Sequence, residues 1–195
     1  MASYSDDFDR ANGEIGANWI EDAGDIDIVS NVAETQTDGA WNRARYASAL
    51  DSNDHYVQAD MAGRSTSNHG NITARQASST QTDYDCGFVE AYDTRLRKHF
   101  SGETNLDTWV GPPDNNQHTF KLIVDGASQS LEVDGTERCS GTDSDVTTGA
   151  YAGISVWDME GGRWDNWSAA DLAAGGGFQP AWARNSNVIL QAANL

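Results

Sequence analysis

The stretch His118-Thr-Phe120-Lys-Leu122-Ile-Val124-Asp125-Gly126-Ala-Ser-Gln-Ser-Leu131-Glu-Val133-Asp134-Gly135 decides the fold. Phe120, Leu122 and Val124 recur at every second position, and Leu131 and Val133 do the same. A strand turns successive side chains to opposite faces, so this alternation predicts strands with one apolar face each. Asp-Gly accepts the left-handed backbone that tight hairpin turns require. Two such pairs nine residues apart predict consecutive antiparallel strands.

The same period extends in both directions. Val57, Ala59 and Met61 fall on one face of residues 55–61, with Tyr56, Gln58 and Asp60 on the other, which predicts a half-buried strand. Residues 71–75 and 84–92 are expected to behave likewise, with Tyr84, Cys86 and Phe88 sharing a face. Ile26, Ile28 and Val32 predict a short strand after Gly24. Residues 150–157 form a strongly apolar strand, and Arg163-Trp-Asp-Asn-Trp-Ser168 reads as the last strand of a sandwich. Phe8, Ile15 and Trp19 are apolar points separated by Gly and Asn turns. No helical period is sustained anywhere, and turn signals return about every ten residues, as a β-sandwich requires.

The chain has 195 residues, enough to bury a core within one domain. Its 38% hydrophobic content is that of a globular protein. Twelve basic against 30 acidic residues give a net charge of −18. Such a surface repels phosphate backbones and anionic lipid, which argues against nucleic acid and membranes as partners. No apolar run approaches transmembrane length and no signal peptide opens the chain, so synthesis in a cytoplasm is expected. Two cysteines, Cys86 and Cys139, are too few for a disulfide framework and lack metal-site spacing. Two separate thiols are expected, with a single disulfide as the alternative.

Composition changes at the end. From Leu172 to Leu195 there is no Asp or Glu, in a chain holding 30 of them. The segment opens with a Gly-rich hinge and then carries Phe178, Trp182, Val188, Ile189 and Leu190. These apolar residues need a surface to cover, either on their own sandwich or on a neighbouring subunit. The expected organisation is a sandwich over 1–171 and an assembly or anchoring tail over 172–195.

Asp7-Phe8-Asp9-Arg10-Ala-Asn12-Gly13-Glu-Ile15-Gly16-Ala-Asn18-Trp19 resembles the opening of concanavalin A-like (LamG-like) lectin and glucanase domains. The paired strands of residues 118–135, then Gly153-Ile154 and Trp164-Asp165-Asn166-Trp167-Ser168, resemble the middle and close of that superfamily. The resemblance implies an all-β, two-sheet antiparallel jelly-roll sandwich with a non-acidic C-terminal extension, its last strand near its first. Gln179-Pro180-Ala181-Trp182-Ala183-Arg184-Asn185-Ser186-Asn187 resembles the C-terminal ends of structural proteins of tailed bacteriophages. That implies a virion component (capsid decoration, fibre or tail), with other virion proteins and further copies of this chain as partners. The tail residues from Phe178 to Leu190 would make the contact.

Glycoside hydrolysis needs two carboxylates at a set separation. The glucanases of this superfamily carry them as Glu-x-Asp-x-x-Glu on one strand; the one match here, Glu132-Val-Asp134-Gly-Thr-Glu137, runs through the expected Asp134-Gly135 turn and so does not lie on one strand. Glu90 and Asp93 read as surface residues near a strand end. His55, His69, His99 and His118 are scattered, without zinc spacing, and no nucleophile elbow, P-loop or dinucleotide motif occurs. The expectation is therefore not an enzyme, with no cofactor required. A structural calcium is the metal the resemblance admits, held by Asp7, Asp9 and Asp165 between the first and last strands. Acidic clusters at Asp22, Asp25 and Asp27 and at Asp143 and Asp145 read as solvated loops. Sugar binding would use exposed aromatic faces with polar groups beside them. Trp41 and Trp109 lie in Gly- and Asn-rich, loop-like stretches, whereas Trp19, Trp157 and Trp167 sit in strand-like runs as core. Trp109 with Asp107 and Asn115, and Trp41, are the candidate glycan contacts.

Overall fold

The computed structural model describes residues 1–37, 39–62, 70–77, 82–90, 93–111, 116–157 and 162–173. These residues contain β-strands and no helix. The strands are β1 (Ser3–Asp6), β2 (Gly13–Glu14), β3 (Trp19–Ala23), β4 (Ile26–Val29), β5 (Val32–Thr35), β6 (Trp41–Tyr46), β7 (His55–Ala62) and β8 (Asn71–Gln76). They continue with β9 (Asp83–Glu90), β10 (Asp93–His99), β11 (Glu103–Val110), β12 (His118–Asp125), β13 (Ser128–Val133), β14 (Thr136–Thr142), β15 (Tyr151–Trp157) and β16 (Arg163–Asp171). Two antiparallel sheets form the sandwich. One has nine strands in the order β14-β13-β12-β7-β16-β5-β4-β2, with β1 also on β16, and the other runs β11-β10-β9-β8-β15-β6-β3. This is the all-β jelly-roll sandwich expected.

The alternating stretch of residues 118–135 is β12, β13 and the turn into β14, which completes a meander, with Phe120 opposite Val133 and Leu122 opposite Leu131. Asp134 and Gly135 both take positive φ, 51° and 73°, as their turn demands. β7 buries Val57, Ala59 and Met61 as expected and leaves Tyr56, Gln58 and Asp60 half-buried. β16, last in the sandwich, sits inside the nine-stranded sheet: β7 flanks one edge, and β5 and β1 share the other. Between the sheets lie Phe8, Trp19, Ile72, Tyr84, Phe120, Leu131, Ile154, Trp164 and Trp167, all buried. The aromatic rings interlock, with Phe88 meeting Phe120 at 4.8 Å and Trp167 stacked on Tyr46 at 5.3 Å. Cys86 on β9 and Cys139 on β14 are free and buried.

The structure corrects three expectations. Ile26, Ile28 and Val32 belong to two strands, since Ser30 and Asn31 turn the chain with φ of 54° and 66°. The strand expected over 84–92 is β9, with residues 91 and 92 outside what is described. β8 is buried on both faces rather than half-buried. Trp41 and Trp109 are strand residues, on β6 and β11, not loop residues. The side chain of Trp157 and the tail residues Phe178, Trp182, Val188, Ile189 and Leu190 lie outside what is described.

Candidate functional site

β9 turns Tyr84, Cys86 and Phe88 into the core, so strand alternation sends Asp83 and Asp85 to the other face of the seven-stranded sheet. β10 does the same with Leu96 inward and Arg95, Arg97 and His99 outward, and β6 with Ala44 inward and Trp41, Arg43 and Arg45 outward. Cross-strand register places Arg97 opposite Asp85 and His99 opposite Asp83. Arg43, Asp83, Asp85, Arg97 and His99 are all buried.

This outer face is concave. Neighbouring strands stand about 4.8 Å apart, so on a flat sheet β6 and β9 would be separated by about 14 Å and β6 and β10 by about 19 Å. Yet Arg43 Nη2 donates to Asp83 Oδ2 at 2.5 Å, and the Trp41 and His99 rings meet edge to face at 5.9 Å. The sheet curls until side chains of its far strands meet across β15 and β8. Gly87 lies on this face, where a Cβ would stand 1.9 Å from the Gly70 carbonyl oxygen. No larger residue could keep β8 and β9 so close.

The site is ionic and dry. Arg97 forks onto Asp85, Nε to Oδ1 at 3.0 Å and Nη2 to Oδ2 at 2.7 Å, while His99 Nε2 donates to Asp85 Oδ2 at 3.1 Å. Burial would raise Asp85, but Arg97 and His99 outweigh it and hold its carboxyl well below the usual range. Burial pushes Asp83 up to about 6, and the nearby charge of Asp85 adds to this against the pull of Arg43. Burial disfavours charge on His99, but the hydrogen bond and charge of Asp85, together with Asp83, leave its pKa raised. Asp83 Oδ1, Asn71 Oδ1 and Arg43 Nε are buried without a hydrogen-bond partner. Such groups are costly to bury unsatisfied.

Asp83, Asp85 and His99 are the one set of three metal-ligating side chains, among the described residues, whose ligand atoms lie within 4.8 Å of one another. They do not suit a metal. The Arg97 fork occupies both oxygens of Asp85, and two guanidiniums already balance the two carboxylates, so a divalent ion would add uncompensated charge.

Asp7, Asp9 and Asp165 do come near one another. The charges of Asp60, Asp7 and Asp9 help burial raise the Asp165 carboxyl. They do not close a calcium cage: oxygens around one calcium lie within about 5 Å of each other, given Ca–O distances of about 2.4 Å, and these do not converge so tightly. Asp7 Oδ1 accepts from the Asp9 amide at 3.1 Å and Asp165 Oδ1 from the Asn166 amide at 2.8 Å. Neighbouring Asp6 is held by a cation of the chain's own, Arg10, with Trp19 Nε1 and the Phe8 amide also donating to it. In the other acidic clusters Asp22 pairs with Arg45, and Asp143 and Asp145 with Lys98.

The candidate glycan contacts are not brought together. Trp41 is on β6 and Trp109 on β11, at the far edge of the same sheet. Arg138 of β14 lies over the Trp109 ring at 4.5 Å, and Gly111 is pressed so close that a Cβ would be 2.6 Å from it. Asp107 Oδ2 accepts from the Ser140 amide at 3.0 Å. Trp109 and Asp107 thus clasp the edges of the two sheets, β11 to β14. Asn115 lies outside the described residues. Sequence reading passed over Asp83, Asp85, Arg43, Arg97 and Asn71. The available signal was alternation of charge, Asp83-Tyr-Asp85, Arg43-Ala-Arg45 and Arg95-Leu-Arg97-Lys-His99.

The class that these features define is the jelly-roll β-sandwich shared by lectins, glucanases and carbohydrate-binding modules. No protein-family model and no curated protein matches the sequence. Solved structures resemble it in fold. The carbohydrate-binding module CBM66 from Bacillus subtilis superposes with a TM-score of 0.63 at 16% identity, over 79% of this chain and 92% of that one. Bacillus licheniformis β-glucanase gives 0.65 at 11% identity, over 89% and 99%. The CBM2 module of the evolved Dit protein of Lactobacillus casei BL23 phage J-1 gives 0.56 at 12% identity, over 86% and 95%.

Proposed function

We propose that this chain is a carbohydrate-binding module and that it binds glycans at the concave face of the seven-stranded sheet. The observation that carries the reading is the half-buried indole of Trp41 on that face, beside the polar side chains of Arg43, Asn71 and Asp83. Sugar rings need an aromatic surface with a few fixed hydrogen-bonding groups around it. The fold likeness to CBM66 supports the same reading. Hydrolysis is less well supported than binding. It requires one carboxylic acid and one free carboxylate, whereas Asp83 and Asp85 are tied to Arg43 and Arg97.

The test is a glycan array followed by calorimetry on the best ligand. Trp41→Ala is expected to weaken binding at least tenfold. Trp109→Ala is expected to lower stability and leave affinity within twofold. The opposite pattern would move the site to the β11 edge, and an array without hits would end the reading.

A second reading places the sandwich in a tailed-phage virion, tied to its neighbours by residues 172–195. The fold likeness to the phage J-1 Dit module favours it. Light scattering on the full chain beside one ending at Asp171 tests it: an oligomer against a folded monomer supports assembly through the tail. Two monomers count against self-assembly.

A further inference from the structure

The outer face of the nine-stranded sheet holds two residues that an open face would leave in water. Phe120, Leu122 and Val124 of β12 point into the core, so alternation turns Ile123 outward. Ser130 of β13 stands directly opposite Ile123 and faces the same way. Yet Ile123 is 6% exposed and Ser130 2%, and Ser130 Oγ is buried without a hydrogen-bond partner. Ile123 stands apart from the core between the sheets. The strands packed most closely on β12 are its sheet neighbours β7 and β13 and, across the core, β8 and β9, and none of these lies over the outer face. Lys121 reaches the other way, its Nζ 4.7 Å from the centre of the Tyr56 ring on β7. A serine turned to water bonds to it, and one shut off from water and left unpaired lies under an apolar cover. We propose that the C-terminal tail of the same chain, residues 174–195, docks across this face, with Phe178 and Trp182 over Ile123 and Ser130. The concave face belongs to the other sheet, so this inference stands apart from the carbohydrate reading.

The path of the chain, its length and its charge all favour this occupant. Asp171 of β16 lies opposite His55 of β7, and His55 opposite Val124 of β12, so the last strand ends level with Ile123. Leu172 continues the same edge, its amide donating to the Asp54 carbonyl at 2.9 Å. One cross-strand row on the outer face runs Ser140, Ser130, Ile123, Tyr56, Ala170, Ser3. It is uncharged and mostly small, a shelf that begins where the tail leaves. With strands about 4.8 Å apart, Ile123 is about 10 Å and Ser130 about 14 Å from β16. Five extended residues cover about 16 Å, so Phe178, just past the Gly-rich hinge, is the first large apolar residue able to reach them. Asp125 and Glu132 face outward beside the row. The tail brings Arg184 and no acid, in a chain whose remainder holds all 30 acidic residues, so it is the one long segment that this surface does not repel.

Thiol labelling of the full chain reads the cover. Ile123→Cys places a reporter on the face, and Cys86 and Cys139, both free and buried, are the internal references. The reporter is expected to label slowly in the full chain. Adding Phe178→Ser and Trp182→Ser, or ending the chain at Ala173, is expected to speed it more than tenfold while Cys86 and Cys139 stay unreacted. A reporter that labels in the full chain at the rate of an exposed thiol overturns the docking, and so does one that stays slow in both tail variants. Should the shortened chain fail to fold, which reaction at Cys86 and Cys139 would reveal, the double serine variant decides alone. Light scattering on the same samples separates a chain's own tail from that of a neighbour. Slow labelling in a monomer, unchanged on dilution, is expected. Labelling that quickens as an oligomer is diluted overturns docking within the chain and moves the tail onto a second copy.

Discussion

Both oxygens of Asp85 face the guanidinium of Arg97, at 3.0 and 2.7 Å, and the two side chains are 1% and 6% exposed. A fork made out of water binds the strands β9 and β10 on a face without an apolar core. Removing one partner leaves an uncompensated buried charge, which costs about 3–5 kcal/mol. Asp85→Ala should therefore lose that much in urea denaturation. The double replacement Asp85→Leu with Arg97→Met removes both charges and should lose far less. Equal losses would mean that the pair contributes through its shape and not its charge.

His55 supplies the clearest pH signature. It is buried, its Nδ1 donates to the Ser52 carbonyl at 3.1 Å, and its Nε2 accepts from the Arg75 amide at 3.1 Å. Burial lowers its pKa from 6.5 to about 4. The unfolded chain thus takes up a proton below pH 6.5 that the folded chain refuses until about pH 4. The contribution of His55 is complete above 6.5 and is lost as pH falls, by about 3 kcal/mol. Asp83 and His99 act in the opposite sense over this range, so the total stability curve mixes the two. The difference between wild type and His55→Gln isolates it: the gap in stability between them should shrink from pH 7.5 to pH 4.5. A constant gap would show that His55 does not titrate as buried.

The middle of the nine-stranded sheet was legible because its strands there obey the simple rule of one apolar and one polar face. β7, β12 and β13 announce themselves through Val57, Ala59, Met61, Phe120, Leu122, Leu131 and Val133. β6, β10 and β11 did not, and the reason is physical. β6 and β10 belong to a sheet whose outer face curls on itself and buries Arg43, Arg97 and His99, so apolar periodicity gives way to charge periodicity. β11 is an edge strand with most of its side chains exposed or half-exposed, and it offers little apolar pattern of any kind. The candidate site was hidden for the same cause. A buried Asp-x-Asp and a solvated one look alike in sequence, and only the register across β9 and β10 pairs them with Arg97 and His99. Trp109 misled because its flanking Asn, Gly and Pro residues resemble a loop, although the ring is a clasp.

Metal removal should leave this protein unchanged. Arg10 supplies the cation at Asp6, and Asp7, Asp9 and Asp165 do not converge on a common point. Melting in EDTA and in millimolar calcium is expected to agree within about 1 °C, a small fraction of the 2–4 °C per kcal/mol typical of this size. A clear rise with calcium would show that the three carboxylates move together around an ion. Arg10→Gln should lower the melting temperature in either solution, because Asp6 keeps only neutral donors.

Arg75 closes one end of the sandwich, and its geometry cannot be met by another cation. Its Nε donates to the Asn53 carbonyl at 2.8 Å, Nη1 to the Val146 carbonyl at 3.0 Å, and Nη2 to both Asp54 Oδ1 at 2.8 Å and the Gly126 carbonyl at 2.7 Å. One buried guanidinium therefore joins the loop before β7, the β12–β13 turn and the segment before β15, beside a recess of about 470 Å³. It does so from a left-handed backbone, φ 50°, so the local conformation is held by these bonds and not by preference. Lysine keeps the charge but offers a point donor in place of a planar fork. Arg75→Lys strands two or more of the four acceptors, and hydrogen bonds to charged groups contribute about 1.5–3 kcal/mol each. A loss of about 2–4 kcal/mol is expected, with faster amide exchange at Gly126 and Leu50 than at the β12–β13 pairing. A loss below 1 kcal/mol would show that water replaces the guanidinium in that recess and that the loops hold their places without it.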